Sequence, residues 1–346
     1  MLQITTPFTL FQEQIALLRA QLPGMLDARP DSIHDARIAT RRVREVLPLT
    51  HEWQRSHAAD DQFIRFKRMG RSLGRVRDAD VRIELINYLE SRVPPAAATL
   101  ALVRHHQQGT RLLLMRRLVK RVERLAVERE LARLAGGAWH RARFWTALTG
   151  SWRSQLRHLV AERAGAAGEA IAHATGVYFP KRTHEARIAI KKFRYAAEVA
   201  ARTGVMADDG VIRELKKSQD LLGHLHDRQT LIDELKQCAA HGIGIDDAQI
   251  SLVVQVAQGE IADLHGRFLK RRPQVLDCSG RAVRGLDRGA LTKGACAVAG
   301  VVVVAAGIEA RRRYLPPRQR ALGADAVGGA VSVRVPVVLP AMRTSS

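Results

Sequence analysis

From about Phe8 to Arg272 apolar residues recur every third or fourth position, arginine and alanine fill the intervals, and β-branched alternation is scarce. This period predicts helices almost throughout, and hence an all-α fold. Breaks are expected at Pro23-Gly24, at Arg29-Pro30-Asp31-Ser32, at Pro94-Pro95, at Gly136-Gly137, from Gly176 through Pro180, and at Pro273. Asp31 or Ser32 is placed to cap the helix that carries His34 onward. After Pro273 the texture changes to glycine-rich and valine-rich pieces such as AVGGAVSVRVPVVLP, so residues 274–346 are expected to be a tail of unassigned fold, poorly ordered or strand-forming.

Within the helical part a block repeats. Ile33-His34-Asp35-Ala36-Arg37-Ile38-Ala39-Thr40-Arg41-Arg42-Val43-Arg44 returns 150 residues later as Thr183-His184-Glu185-Ala186-Arg187-Ile188-Ala189-Ile190-Lys191-Lys192-Phe193-Arg194. A second block follows each copy at an offset of 149: Lys67-Arg68 matches Lys216-Lys217, and Leu73-Gly74-Arg75-Val76-Arg77-Asp78 matches Leu222-Gly223-His224-Leu225-His226-Asp227. Two blocks in the same order at nearly constant offset indicate a tandem duplication of a helical unit of about 130–150 residues. The first repeat covers about 8–145 and the second about 150–273.

At about 100° per residue, His34, Arg37, Arg41 and Arg44 fall on one helix face, with Ala36, Ala39, Val43, Val46 and Leu47 opposite. His184, Arg187, Lys191 and Arg194 form the same stripe in the second copy, against Ala189, Phe193, Ala196 and Ala197. Both polar faces are cationic, without the glutamates that a solvated helix interleaves at four-residue spacing. Like charges so placed cost a few tenths of a kcal/mol per pair, so a stripe kept twice points to an anionic ligand. The next helix adds Lys67, Arg68, Arg71 and Arg75. Its counterpart adds Lys216, Lys217 and His224 but has Asp220 where Arg71 would stand, so the first half should hold the denser positive surface. Asp78 and Asp227 read as N-caps of following helices, and Gly74 and Gly223 as turn residues.

Composition narrows the ligand. The 346 residues include 56 Lys+Arg and 34 Asp+Glu, a formal net charge of +22, which points to a polyanionic partner. With 46% hydrophobic and 26% charged residues the chain is globular. Aromatics are only 5%, few for reading single strands by base stacking. Cys238, Cys278 and Cys296 are too scattered for a disulfide framework or a structural zinc site, so no metal is expected and a reducing compartment is the natural reading. No secretory signal is visible at the N-terminus. The longest apolar run, Ala295 to Ile308, is 14 residues, short of the ~20 that span a bilayer, so membrane insertion is not expected. His34 and His184 lack a recurring carboxylate or cysteine at ligand spacing and lack a duplicated orienting acid. They read as phosphate donors that become charged when an anion binds beside them.

The duplicated His-x-x-Arg-x-x-x-Arg/Lys-Arg/Lys-x-Arg helix, followed by Leu-Gly-x-x-x-Asp, resembles the CHAD family, the conserved histidine α-helical domain, over residues 8–273. The resemblance implies two antiparallel four-helix bundles related by pseudo-two-fold symmetry, with basic residues lining a cavity between them. It also implies binding of inorganic polyphosphate and association with polyphosphate granules in the cytoplasm, without catalysis and without a cofactor. The positions it carries over are His34, Arg37, Arg41, Arg42, Arg44, Lys67, Arg68, Arg71 and Arg75, then His184, Arg187, Lys191, Lys192, Arg194, Lys216, Lys217 and His224. No Glu-x-Glu-x-Lys signature of a fused triphosphate-tunnel enzyme is present. A lattice of Arg, Lys and His suffices to hold a polymer charged at every unit, and binding should weaken with salt and tighten as pH falls through the histidine range. A nucleic-acid binder contacting mainly the backbone is the alternative. An enzyme that transfers or hydrolyses phosphate is disfavoured, because no metal-holding carboxylates or activated nucleophile recur.

Overall fold

The computed structural model describes residues 5–50, 57–136, 151–207, 210–240 and 246–313, with the backbone alone at 57–60, 151 and 287–313. Among these residues the chain is all-α: α1 (Pro7–Leu26), α2 (Pro30–Val46), α3 (His57–Arg92), α4 (Ala97–Arg124), α5 (Val127–Ala135), α6 (Ser151–His173), α7 (Pro180–Arg202), α8 (Val211–Ala240) and α9 (Asp247–Arg313). Short 3-10 turns occupy Leu47–Leu49 and Pro94–Ala96. Met1–Ala290 is one compact unit and Leu291–Ser346 another, and both repeats lie within the first.

The two copies of the repeated motif start alike. Pro30 and Pro180 occupy the first turns of α2 and α7, where a missing N–H has no consequence and the fixed φ favours the helix. Each helix then buries one stripe: Ile33, Ala36, Ala39, Val43 and Val46 in α2; Ala186, Ile190, Phe193, Ala197 and Ala200 in α7. The small residues among them let neighbouring helices approach closely. α2 packs on α1 and α3, α7 packs on α6 and α8, and α2 and α7 touch each other. One apolar core runs across both repeats, joining Phe11 and Ile15 of α1, Leu73 of α3, Trp152 and Leu156 of α6, and Phe193 of α7. A second cluster joins Ile86 and Leu89 of α3 and Leu100 of α4 to Leu231 and Leu235 of α8 and Val253 of α9. Ion pairs also bridge the repeats at Arg163–Glu45, at Arg42–Glu198 (3.7 Å), at Arg202–Glu13 (2.6 Å) and at Arg82–Glu234 (3.4 Å).

Several expected boundaries move. The turns at Pro94-Pro95, Gly136 and Gly176–Pro180 stand where the sequence puts them. Pro23, however, lies inside α1, which continues to Leu26, and the bend follows at Ala28 with φ of 60°. Gly24 serves a close approach rather than a break: a Cβ there would sit 2.3 Å from the Ser32 hydroxyl. Arg29, without a side-chain cap, precedes Pro30, so Asp31 and Ser32 fall inside the first turn of α2 and do not cap it. Pro273 does not end a helix either; α9 passes through it. A mid-helix proline costs about 3 kcal/mol, but Phe268 before it and Val275, Cys278 and Ala282 after it are all buried, and their burial offsets that penalty. The expected tail of unassigned fold is therefore helical to Arg313. Residues 314–346, where the rest of that expectation falls, lie outside the described residues. Cys238 and Cys278 are buried free thiols.

Candidate functional site

The cationic faces of α2 and α7 meet where the two helices touch. Arg37, Arg41 and Arg44 from α2 and Arg187 and Lys191 from α7 share one electrostatic neighbourhood. At an effective dielectric of ~20, two like charges ~4 Å apart repel by about 4 kcal/mol, so the cluster leaves its mark on the acidity of its members. Burial first, then Arg41, lowers the Arg37 guanidinium to about 10, where it stays charged at neutral pH. Burial first, then Arg41, Arg187, Arg37 and Arg44, brings the Lys191 ammonium down to about 7. Burial also lowers Arg44 and Arg187.

Counter-charges that the stripe does not itself interleave come from the following helix. The Arg37 Nη2 donates to Asp78 Oδ1 at 3.2 Å. Asp227, the duplicate of Asp78, lies in the field of Arg187, while burial raises its carboxyl above the ordinary range. Neither acid is an N-cap: Asp78 lies within α3 and Asp227 within α8. Gly74 and Gly223 are likewise mid-helix, not in turns. Gly74 lies on the α2 side of α3, where a Cβ would come within 3.6 Å of Arg37 Nε. The Leu-Gly-x-x-x-Asp block is thus a helix surface packed beside an arginine, with the aspartate orienting the guanidinium.

The histidines sit at the rim. Burial, then Arg77, lowers His34; burial, then Arg187 and Lys191, lowers His184. His184 faces His226, ring centroids 4.7 Å apart, and burial, Arg187 and His184 push His226 down to about 4. His226 occupies the duplicated position of Arg77, so each motif histidine has an α3 or α8 side chain beside it. Four polar atoms of the cluster are buried without a hydrogen-bond partner among the described residues: Arg37 Nε, Arg44 Nε, Arg187 Nε and His184 Nδ1. Arg82, Arg157 and Arg271 leave the same atom without a partner elsewhere in the fold, so what distinguishes the cluster is that three such guanidinium groups from α2 and α7 share one neighbourhood, where an anion can accept from them.

Other predicted positions are drawn away from this centre. Arg42 pairs with Glu198, and Arg194 pairs with the same carboxylate at 2.6 Å, donates to Gln219 Oε1 at 3.1 Å and lies over the Tyr195 ring. Lys192 lines a small surface hollow with Arg163 and Glu185. Lys217 is tied to Glu214 at 3.3 Å. Lys67, Arg68, Arg71, Arg75, Lys216 and His224 are exposed. Of these Arg71 acts on Arg44, and His224 acts on Asp227. Sequence reasoning missed Asp78, Asp227, Arg77, His226 and Tyr195 as parts of the site. All but Tyr195 lie in the duplicated second block, and that duplication was the signal available.

The molecule is therefore an all-α protein whose two related helices bring a half-buried cationic cluster together. The CHAD domain description matches residues 9–236. The chain belongs to the CHAD domain family. Among solved structures it resembles PptA from Streptomyces chartreusis, with a TM-score of 0.58, 16% identity, and coverage of 78% of this chain and 98% of that one. It also resembles the CHAD domain from the plant Ricinus communis, with a TM-score of 0.48, 17% identity, and coverage of 79% and 90%. No curated protein matches the sequence. Among the described residues no helix is long and apolar enough to cross a membrane.

Proposed function

We propose that the α2–α7 cluster binds inorganic polyphosphate without turning it over, and that this binding directs the protein to polyphosphate granules. The observation that carries the reading is the convergence of Arg37, Arg41, Arg44, Arg187 and Lys191 from both motif copies, with buried guanidinium N–H groups left unpartnered. A polymer with a negative charge on every unit relieves that repulsion and accepts from those donors together. Membership of the CHAD domain family, known in polyphosphate-related proteins, supports the same ligand. Asp78 and Asp227 are matched to Arg37 and Arg187, which gives them the task of holding cations in position.

The test is titration of the full chain with long-chain polyphosphate against DNA at equal phosphate concentration, beside Arg37→Ala/Arg41→Ala and Arg187→Ala/Lys191→Ala. Preference for polyphosphate that both double variants lose is the expected result. Equal affinity for the two polymers would reduce the site to a general polyanion surface. Undiminished binding by both variants would place the site elsewhere.

A further inference from the structure

A second cationic surface lies outside the α2–α7 cluster, in the groove between the antiparallel helices α3 and α4. It is a hollow of about 180 Å³ whose lining includes Arg75, Arg117, Lys120, Arg121 and Arg124, over a floor of Leu114 and Leu118. No acid lines it. The 28 residues of α4 contain a single acid, Glu123, which does not line the groove. Of the acids of α3, Glu90 pairs with Arg104 and Asp80 with Arg111 further along the helix pair, while Asp78 and Glu84 pair with Arg37 and Arg77. An ordinary solvated helix interleaves acids at three- and four-residue spacing. Here Arg117, Arg121 and Arg124 stack at those spacings, and none of the groove's cations has an ion pair among the described residues.

The groove connects with the cluster through one helix face. Arg71 acts on Arg44, and Arg75 stands one turn further along α3, about 6 Å by helix rise. Cations thus follow one another from Arg44 through Arg71 and Arg75 into the groove. The second repeat carries part of the same set, since Arg267, Lys270 and Arg271 stand 150 residues after Arg117, Lys120 and Arg121. Leu221 and His224 replace Ser72 and Arg75, and Leu221 is buried with Leu225, Ile261 and Leu264 of the α8–α9 pair. Along that pair α9 presents Glu260, already bound to Arg228 and to the Tyr88 hydroxyl. In the second repeat Arg271 is paired with Glu214, and His224 and Gln274 stand where Arg75 and Arg124 line the groove, so among the described residues the full run of unpaired cations is found in the first repeat.

We propose that the α3–α4 groove is a second binding surface for the same polyphosphate chain, holding a stretch that leaves the central cluster, so that long chains bind more tightly than short ones. The inference rests on the reading of the cluster as a polyphosphate site. Polyphosphate fits better than single-stranded nucleic acid, because the groove offers aliphatic floor and point charges with no aromatic face for a base. Two tethered contacts on one polymer act at high effective concentration, which converts modest local affinity into a clear length dependence.

The experiment compares long-chain polyphosphate, short oligophosphate that can fill only one surface, and DNA. It uses the full-length wild type, Arg117→Gln/Lys120→Gln/Arg121→Gln/Arg124→Gln, and Arg37→Ala/Arg41→Ala. Arg117, Lys120 and Arg124 are exposed and Arg121 is partly so, and helicity by circular dichroism confirms folding. The groove variant should lose roughly tenfold or more in affinity for long chains, keep its affinity for the oligophosphate, and show a log–log salt slope smaller by about three, at ~0.7 per neutralised contact. Unchanged long-chain affinity in the groove variant, with binding lost in the cluster variant, overturns the groove and leaves the central site standing. A loss confined to DNA also overturns it, making the groove a nucleic-acid surface. Failure of the wild type to bind either phosphate polymer overturns the central reading itself.

Discussion

Lys191 holds the one amine in the cluster, surrounded by Arg41, Arg187, Arg37 and Arg44, and in the free protein it releases its proton at about pH 7. Its duplicate, Arg41, is a guanidinium that stays charged. A phosphate chain laid against Lys191 favours the ammonium and moves its acidity back toward the ordinary ~10.4. Binding should then take up a proton between pH 7 and about 10, and affinity should rise as pH falls through that window and level off, for this group, below 7. That places the main pH dependence above the histidine range anticipated from sequence. His34 and His184 lie below their ordinary values and His226 near 4, so they add protons only in more acidic solution. Calorimetry at pH 8 in two buffers of different ionisation enthalpy measures the uptake. Lys191→Arg should bind polyphosphate while taking up about one proton fewer; an unchanged proton count would show that the linkage resides on another group.

At the scale of helices, Gly70 of α3 and Gly223 of α8 separate two kinds of packing. Gly70 is on the face of α3 that meets α2, where a Cβ would stand 3.1 Å from Thr40 Oγ1, and that hydroxyl is held by donation to the Arg37 carbonyl at 2.8 Å. Gly223 in α8 has open space within 4 Å. Gly223→Ala should therefore stabilise by up to about 1 kcal/mol through helix propensity, while at Gly70 the same change should bring no gain or a net loss, because crowding of ~1 kcal/mol or more opposes it. Thermal melts of the two variants check the contrast, and a loss at Gly223 would mean that it serves a turn or contact after all. The contrast also shows what a sequence can convey. Helix faces in α2 and α7 are legible because three- and four-residue periods are local, and the buried Val43, Ala186 and Phe193 follow them. The Leu-Gly-x-x-x-Asp block reads wrongly as a turn because glycine and aspartate are frequent in turns, whereas the contact between Asp78 and Arg37 arises only when α3 packs on α2. Pro273 misleads in the same way, its local tendency overridden by the buried residues on both sides of it. The pairing of Arg41 with Lys191, across 150 residues, leaves no local trace; only the duplication hints that the two stripes are matched.

For the molecule as a whole, the net charge of +22 has two consequences of opposite sign in salt. Repulsion within Arg37, Arg41, Arg44, Arg187 and Lys191 opposes folding of the free protein, with Asp78, Asp227 and Glu45 set against it. Screening, with a Debye length of about 10 Å at 0.1 M that shortens as salt rises, relieves that repulsion. The Tm of the free protein should therefore increase with moderate sodium chloride. A bound polyanion stabilises instead by mass action, raising Tm in proportion to the logarithm of ligand concentration over Kd. That increment should shrink with the same salt, because each neutralised phosphate has released a counterion that must now be taken back. Melts across a salt series, with and without long-chain polyphosphate, should converge from below and above. If the free protein instead lost stability as salt rose, the cluster would have to be compensated internally, and relief of repulsion could no longer be the force that draws a polyanion to it.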